Sequence, residues 1–349
     1  MNTLFLFLAF AAAAGIIWVA GIWLTRTTDA IDTHFNLGSA FGGLLLLGIA
    51  TSLPEIAITV SAALNHHYAV VLGNLIGGIA IQTVVLVILD ASMREKRTLS
   101  FAAASLTLVL EANAVILVAV VAIMAMRTPA VIPGTPISVA AVLITLIWLA
   151  GLWLVHRARL GLPWKAEAIE AAPGRNHHER RRVINHEPFK KRSIAFVIGI
   201  FAAAAFATLT AGVVLEEAGT RLALHFGIGT GLFAATFIAA ATALPELSTG
   251  IASVKIGDYR LAFSDIFGGN AFMPALFLVA DLIAGRSILS AANQNDMWFA
   301  ALGVLLTGVY AIGLIIRPRR TFFRVGPDSL LVLVLYIAGV AVLFLGRPL

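Results

Sequence analysis

Two short stretches constrain this chain more than any other feature. Ala50, Thr51, Ser52, Leu53, Pro54 and Glu55 stand inside a long apolar run, and Ala241, Thr242, Ala243, Leu244, Pro245 and Glu246 echo them 191 residues later. Each stretch sets a carboxylate directly after a proline. An ionisable group in the interior of a membrane helix is costly and marks a functional position by default. Two copies at matching depth point to a transporter assembled from internal repeats.

The apolar setting is that of a bilayer. Of 349 residues, 60% are hydrophobic and only 12% charged, with a mean hydropathy of +0.96. Soluble domains carry about a quarter charged residues. There is no cysteine, so disulfides and thiolate chemistry are excluded. A net charge of +6 would suggest nucleic acid in a soluble protein. In a membrane protein it reflects basic loops facing anionic lipid, and no nucleic-acid partner is expected.

A span needs about 20 mostly apolar residues. Ten runs qualify: 3–24, 38–64, 69–91, 99–126, 131–155, 194–215, 228–254, 260–284, 297–316 and 328–346. None alternates with the period of a barrel strand, so all read as α-helices. The first run lacks the basic flank of a signal peptide, its charges beginning only at Arg26, and reads as a span. Residues 157–193 hold ten Lys or Arg against four Glu and too few apolar groups for a core, so they form a solvated linker. Its His177, His178 and His186 show no recurring metal-ligand spacing.

With that linker in the cytoplasm, twenty Lys or Arg fall on its side and four, Arg127, Arg221, Arg286 and Arg347, on the other. That is the positive-inside pattern, and it puts both termini outside. Five spans before the linker and five after it run antiparallel. Residues 50–90 and 241–281 share ten identities at the fixed offset, among them Gly77/Gly268, Gly78/Gly269 and Asp90/Asp281. The expected fold is therefore all-α: a polytopic membrane protein with ten transmembrane helices in two inverted five-helix repeats. The repeats are 1–156 and 194–349, with ion-binding segments at about 38–91 and 228–284.

Proline in a helix cannot donate to the carbonyl four residues back. Pro54 and Pro245 therefore free the carbonyls of Ala50 and Ala241, which a membrane tolerates only where protein, water or an ion meets them. Thr51 and Thr242 lie one turn before the glutamates on the same face. Carboxylate, hydroxyl and carbonyl are hard oxygen ligands that suit Ca²⁺ and Na⁺, not zinc or copper. The paired glycines 73, 77 and 78, and 268 and 269, serve either helix packing or close approach of an ion. Asp265 stands opposite Asn74 in the other repeat and could hold a cation, carry a proton or bond a broken helix end. Glu111, whose shifted position is Leu302, reads as a satisfied interior carboxyl beside Asn113, with a proton-relay group as the alternative. Glu216 and Glu217 read as a solvated edge, Asp90 and Asp281 as ion-pair partners of Arg94 and Arg286, and His66 and His67 as solvent-facing. The six Trp read as interfacial anchors.

Thr-Ser-Leu-Pro-Glu, followed about 20 residues on by a helix containing Gly73, Asn74 and Gly77, and repeated in an inverted second half, resembles the cation/calcium exchanger superfamily, nearest its Na⁺/Ca²⁺ exchanger branch. The resemblance implies a central ion site between the second, third, seventh and eighth helices. Its acidic residues match Glu55 and Glu246, and its hydroxyls match Thr51, Ser52 and Thr242. The chain departs from the pattern where the family carries serine and this chain has Gly78 and Gly269. It departs again where the family carries Asn or Asp and this chain has Gln82 and Met273, and where Ala243 stands opposite Ser52. Asp265 lies one turn from the family position.

The expected ligand set is Glu55, Glu246, Thr51, Thr242, Ser52, Gln82, Asp265 and Asn74 with the carbonyls of Ala50 and Ala241. The expected function is secondary antiport of Ca²⁺ against Na⁺ or H⁺ in a bacterial-type inner membrane, without a cofactor. The partners are inorganic cations and anionic membrane lipids, and a homo-oligomer is compatible with the sequence. A Na⁺/H⁺ exchanger of the same fold is the first competitor. A glutamate-dependent intramembrane hydrolase is the second, against which stands the lack of a paired His/Glu motif or a nucleophile–base arrangement. A channel or a scaffold is the third.

Overall fold

Helices follow the apolar runs and break where proline or a polar cap interrupts them. The computed structural model describes residues 2–35, 43–93, 97–161 and 192–345. The first half holds α1 (Thr3–Phe35), α2 (Gly43–Thr51), α3 (Leu53–Leu64), α4 (Tyr68–Ala91), α5 (Leu99–Ala103), α6 (Leu106–Arg127) and α7 (Val139–Leu160). The second holds α8 (Ile194–His225), α9 (Thr230–Phe233), a π-helical turn (Ala234–Ile238), α10 (Ala239–Thr242), α11 (Leu244–Lys255), α12 (Tyr259–Phe272), a 3₁₀ turn (Met273–Ala275), α13 (Leu276–Ala284), α14 (Gln294–Ile316) and α15 (Pro327–Leu345). Eight spans, with α12 to α13 taken as one, are long and apolar enough to cross a bilayer, and the pair α9–α10 and α11, bent by 41°, makes a ninth. The run 38–64 is seen from Gly43 onward as α2 and α3, and its beginning lies outside the described residues. The linker lies outside them as well, apart from its first and last few residues.

Several boundaries differ from those expected. Helix α1 continues past residue 24 because Thr25 and Thr27 return their hydroxyls to the carbonyls of Gly21 and of Trp23 and Leu24, so polar residues do not end it. Helix α8 likewise runs ten residues beyond 215. Residues 131–138 form a turn closed by a Val131–Ser138 bridge instead of opening a span, since Pro133 and Pro136 cannot join a helical ladder. Pro274 accounts for the 3₁₀ turn between α12 and α13.

Helices α4 and α12 are central and largely buried. The long helices α1 and α8 pack on each other, while Leu4, Phe7, Trp18, Phe196 and Phe206 on their outer faces are exposed. Such a surface suits lipid, and the chain is a multi-pass membrane protein. Each long helix also crosses a broken helix of the other half. A side chain at Gly21 of α1 would strike Pro245, and one at Gly212 of α8 would strike Ala57 and approach the carbonyl of Pro54. Both pairs of positions, 21/212 and 54/245, are 191 residues apart.

The aspartates at the ends of α4 and α13 repeat the pattern, and Asp281 corrects the ion pair expected with Arg286. Asp281 accepts from the backbone N–H of Ile288 at 2.7 Å and of Ser138, the N-cap of α7, at 2.8 Å. Asp90 accepts from the N–H of Leu99 at 2.7 Å and of Gly326 at 2.6 Å, and from the hydroxyl of Ser329 at 2.6 Å. Arg286 instead lies over the ring of Tyr68, and Arg94 lies outside the described residues. Each half thus secures the start of the other half's last helix.

A buried donor left without its acceptor costs about 1–3 kcal/mol. Asp281→Ala, which orphans two N–H groups, is expected to lower the unfolding midpoint in detergent by more than Asp281→Asn, which keeps one acceptor oxygen. Equal midpoints for wild type and Asp281→Ala would remove the structural role.

Candidate ion-binding site

The two glutamates start from equivalent local structure. Helix α2 ends at Thr51, Ser52 makes the turn, and Pro54 falls in the first turn of α3, where its missing N–H costs nothing. In the second half Ala243 makes the turn and Pro245 opens α11 in the same way. Glu55 and Glu246 therefore occupy the first turn of α3 and α11. The carbonyl ends of α2 and α10 lie directly upstream, at Ala50, Thr51, Ala241 and Thr242. Broken helices that aim carbonyl ends at a midplane site are a recurrent device for holding cations. The threonines are oriented alike, Thr51 donating to Gly48 at 3.3 Å and Thr242 to Ala239 at 3.1 Å.

Both carboxylates are shut away from lipid and water: Glu55 is 0% and Glu246 1% exposed. Glu246 lies within electrostatic range of Glu55 and of Asp265. The hydroxyls are exchanged between halves, Thr242 lying beside Glu55 and Thr51 beside Glu246. Gln82 donates to Glu55 at 3.2 Å. Among the described residues, Oε2 of Glu55 and both carboxylate oxygens of Glu246 have no hydrogen-bond donor, and neither does Oε1 of Gln82. Burying such groups is costly unless something compensates them.

A second set of contacts places the two halves face to face. The amide nitrogen of Gln82 sits 3.8 Å from the sulfur of Met273, its counterpart at the 191-residue offset. Added side chains at Gly78 and Gly269 would approach Met273 and Gln82 respectively. Asn270 donates to the carbonyl of Ile79, its own counterpart, at 3.3 Å and to Thr83 at 3.2 Å. Residues that meet their own equivalents lie on an approximate two-fold axis.

Asp265 accepts a short hydrogen bond from Thr249. It faces a crevice whose wall includes Gly48, Glu111, Trp148, His156 and Gly268. Glu111 is buried along this crevice, whereas Asn113 is exposed and bonds the carbonyl of Val109. Ser52 is buried at the break of α2 and α3. Asn74 is buried with both amide atoms unpartnered and joins none of these contacts. Sequence reasoning missed Asn270 and Thr249. The only signal for Asn270 lay in its spacing, three residues before Met273.

The glycines resolve toward packing on one side only. Side chains at Gly73 and Gly77 would overlap the backbone of Gly231 and Ala235, so α4 is seated tightly on α9 and the π-helical turn. Gly268, the counterpart of Gly77, has nothing within 4 Å and opens on the crevice.

Comparisons with known proteins agree with this architecture. The inner membrane protein YrbG of Escherichia coli K12 is 28% identical over 302 residues, covering 80% of this chain and 86% of YrbG. CaxA of Alkalimonas amylolytica, named as a putative antiporter, is 26% identical over 297 residues, 83% of this chain and 85% of CaxA. The solved structure of the sodium-calcium exchanger NCX_Mj superposes with a TM-score of 0.60 at 17% identity, over 97% of this chain and 99% of that one. That of the H⁺/Ca²⁺ exchanger CAX superposes at 0.66 and 11%, over 98% and 82%. The family model for sodium/calcium exchanger proteins matches residues 5–157 and 195–345, and the chain belongs to that family of membrane antiporters.

Proposed function

We propose that this protein exchanges Ca²⁺ for protons across a cell membrane by alternating access, with Glu55 and Glu246 as the shared binding pair. The observation that carries this reading is a pair of fully buried glutamates, three of whose four oxygens lack a donor among the described residues. Two carboxylates balance one divalent cation. Thr51, Thr242, Ser52 and Gln82 with the carbonyls of Ala50 and Ala241 supply the neutral oxygens that Ca²⁺ requires. Asp265 and Asn74 complete the proposed set, Asp265 from the crevice and Asn74 from the tightly packed face of α4.

Protons fit the counter-ion role better than Na⁺. Na⁺ needs neutral oxygen ligands. On the axis Met273 offers only a thioether, Gly78 and Gly269 offer no side chain, and Ala243 lacks a hydroxyl. An empty pair of charged carboxylates is costly in a membrane interior, and protons relieve that cost without further ligands. Exclusive occupancy by Ca²⁺ or protons then gives exchange.

The ten-span layout and the two inverted halves, 1–156 and 194–349, form part of the proposal. The meeting of residues 191 apart at Gln82–Met273 and Ile79–Asn270 supports them. In that frame the crevice, bordered by Val155 and His156 at the end of α7, opens on the side of the linker, and the close packing at Gly73 and Gly77 seals the opposite side. The linker side is the cytoplasm by its basic charge, with both termini outside. Arg97, Arg317 and Arg319 gather around Phe101 on that side and suit anionic lipid headgroups.

Glu55→Gln and Glu246→Gln are each expected to abolish Ca²⁺ flux in proteoliposomes, and full flux in either variant would remove the site. A pH gradient imposed without Na⁺ is expected to drive ⁴⁵Ca²⁺ uptake into vesicles carrying the wild-type protein. Uptake that required a Na⁺ gradient would replace the proton with sodium as counter-ion.

A further inference from the structure

Away from the central site, on the face opposite the linker, three side chains form a compact donor set. His67 caps the start of α4, and its Nδ1 lies 2.7 Å from Oε1 of Glu216 on α8. The expected solvated edge is thus partly wrong, because Glu216 is fully buried. Its other oxygen accepts from Ser61 of α3 at 2.9 Å, and Thr220 donates to Oε1 at 3.2 Å. Glu217, next in sequence, is bonded by the exposed Arg221. Ligand atoms of His67, Glu216 and Glu217 all lie within 4.8 Å of one another, the one such His/Asp/Glu cluster among the described residues. The side chain of His67 is 33% exposed, so an ion can reach it.

We propose that His67, Glu216 and Glu217 form a regulatory site for a divalent transition metal of the zinc class, distinct from the transport site. Zinc takes imidazole nitrogen and carboxylate oxygen at about 2.0–2.2 Å and completes its tetrahedron with water. An ion seated here replaces the His67–Glu216 hydrogen bond and draws Glu217 away from Arg221. Ca²⁺ takes six to eight oxygens, whereas a ring nitrogen among so few ligands favours the zinc class.

The regulatory part rests on the alternating-access reading. The cluster joins the α3–α4 hairpin, which carries Glu55 and Gln82, to the long outer helix α8. The nearby packing of α4 on α9 closes the same face. Opening that face requires the hairpin and its surroundings to move relative to α8. A metal bridging His67 to Glu216 and Glu217 staples the two and holds this face shut.

Zn²⁺ binding to the detergent-purified full chain tests the site. It is measured in the Glu55→Gln/Glu246→Gln background, so that the central carboxylates do not contribute. One equivalent is expected there, lost when His67→Ala is added and again with Glu216→Gln, whose amide oxygen can still accept from Ser61. Absence of that equivalent, or its persistence in His67→Ala, overturns the site. In proteoliposomes, Zn²⁺ on the His67 face is expected to slow Ca²⁺ flux several-fold in wild type. In His67→Ala, compared with its own metal-free rate, it is expected to have no effect. Retained inhibition in His67→Ala overturns the staple while leaving the binding result to stand. Absence of flux in the metal-free wild type counts against the transport reading, and the binding measurement still decides the metal site.

Discussion

A carboxylate deep in a membrane has to be compensated, and most of this structure follows from that requirement. Glu55 and Glu246 cannot be solvated by lipid, so each is carried by a helix broken at its own first turn. The breaks leave carbonyl ends beside the acids, and a threonine of each half lies beside the other half's glutamate. Gly73 and Gly77 let α4 press on α9 and the π-helical turn, and Gly78 and Gly269 lie where α4 and α12 meet at Met273 and Gln82. The remaining helices present bulky apolar side chains outward and separate this polar centre from the acyl chains.

The centre was legible because its chemistry conflicts with its surroundings. A proline and an acid in an apolar run are conspicuous, and repetition at a fixed offset makes them more so. Features that conform to local rules were harder to read. Thr25 and Thr27 resemble the end of a span, yet they bond their own helix and extend it. Asp281 sits near Arg286 in sequence, yet it accepts from a backbone N–H 143 residues away. Glu216 looks like an edge residue until the fold brings Ser61 and His67 against it. Asn270 escaped notice because its repeat partner is an isoleucine, so the pairwise comparison that exposed the glutamates carried no signal there. Long-range hydrogen bonding leaves little trace in a single sequence, since each partner is locally unremarkable.

The two halves are alike in pattern but not in packing. Gly73 and Gly77 are pressed onto the backbone of α9 and the π-helical turn, while Gly268 looks into open space. The π-helical turn itself sits at the tight contact, with the hydroxyl of Thr236 returned to the carbonyl of Leu232. Gly77 and Gly268 stand 191 residues apart, so corresponding positions are packed tightly in one half and left open in the other.

The paired aspartate contacts bear on how such a chain matures. The last helix of the first half has its opening N–H met by Asp281, a residue made some 140 positions later. Until that residue arrives, the start of α7 has an unmet donor, and the same carboxylate also closes the turn that follows α13. A copy ending before Asp281 leaves that donor to water and the last helix of its own half without the anchor that the intact fold supplies.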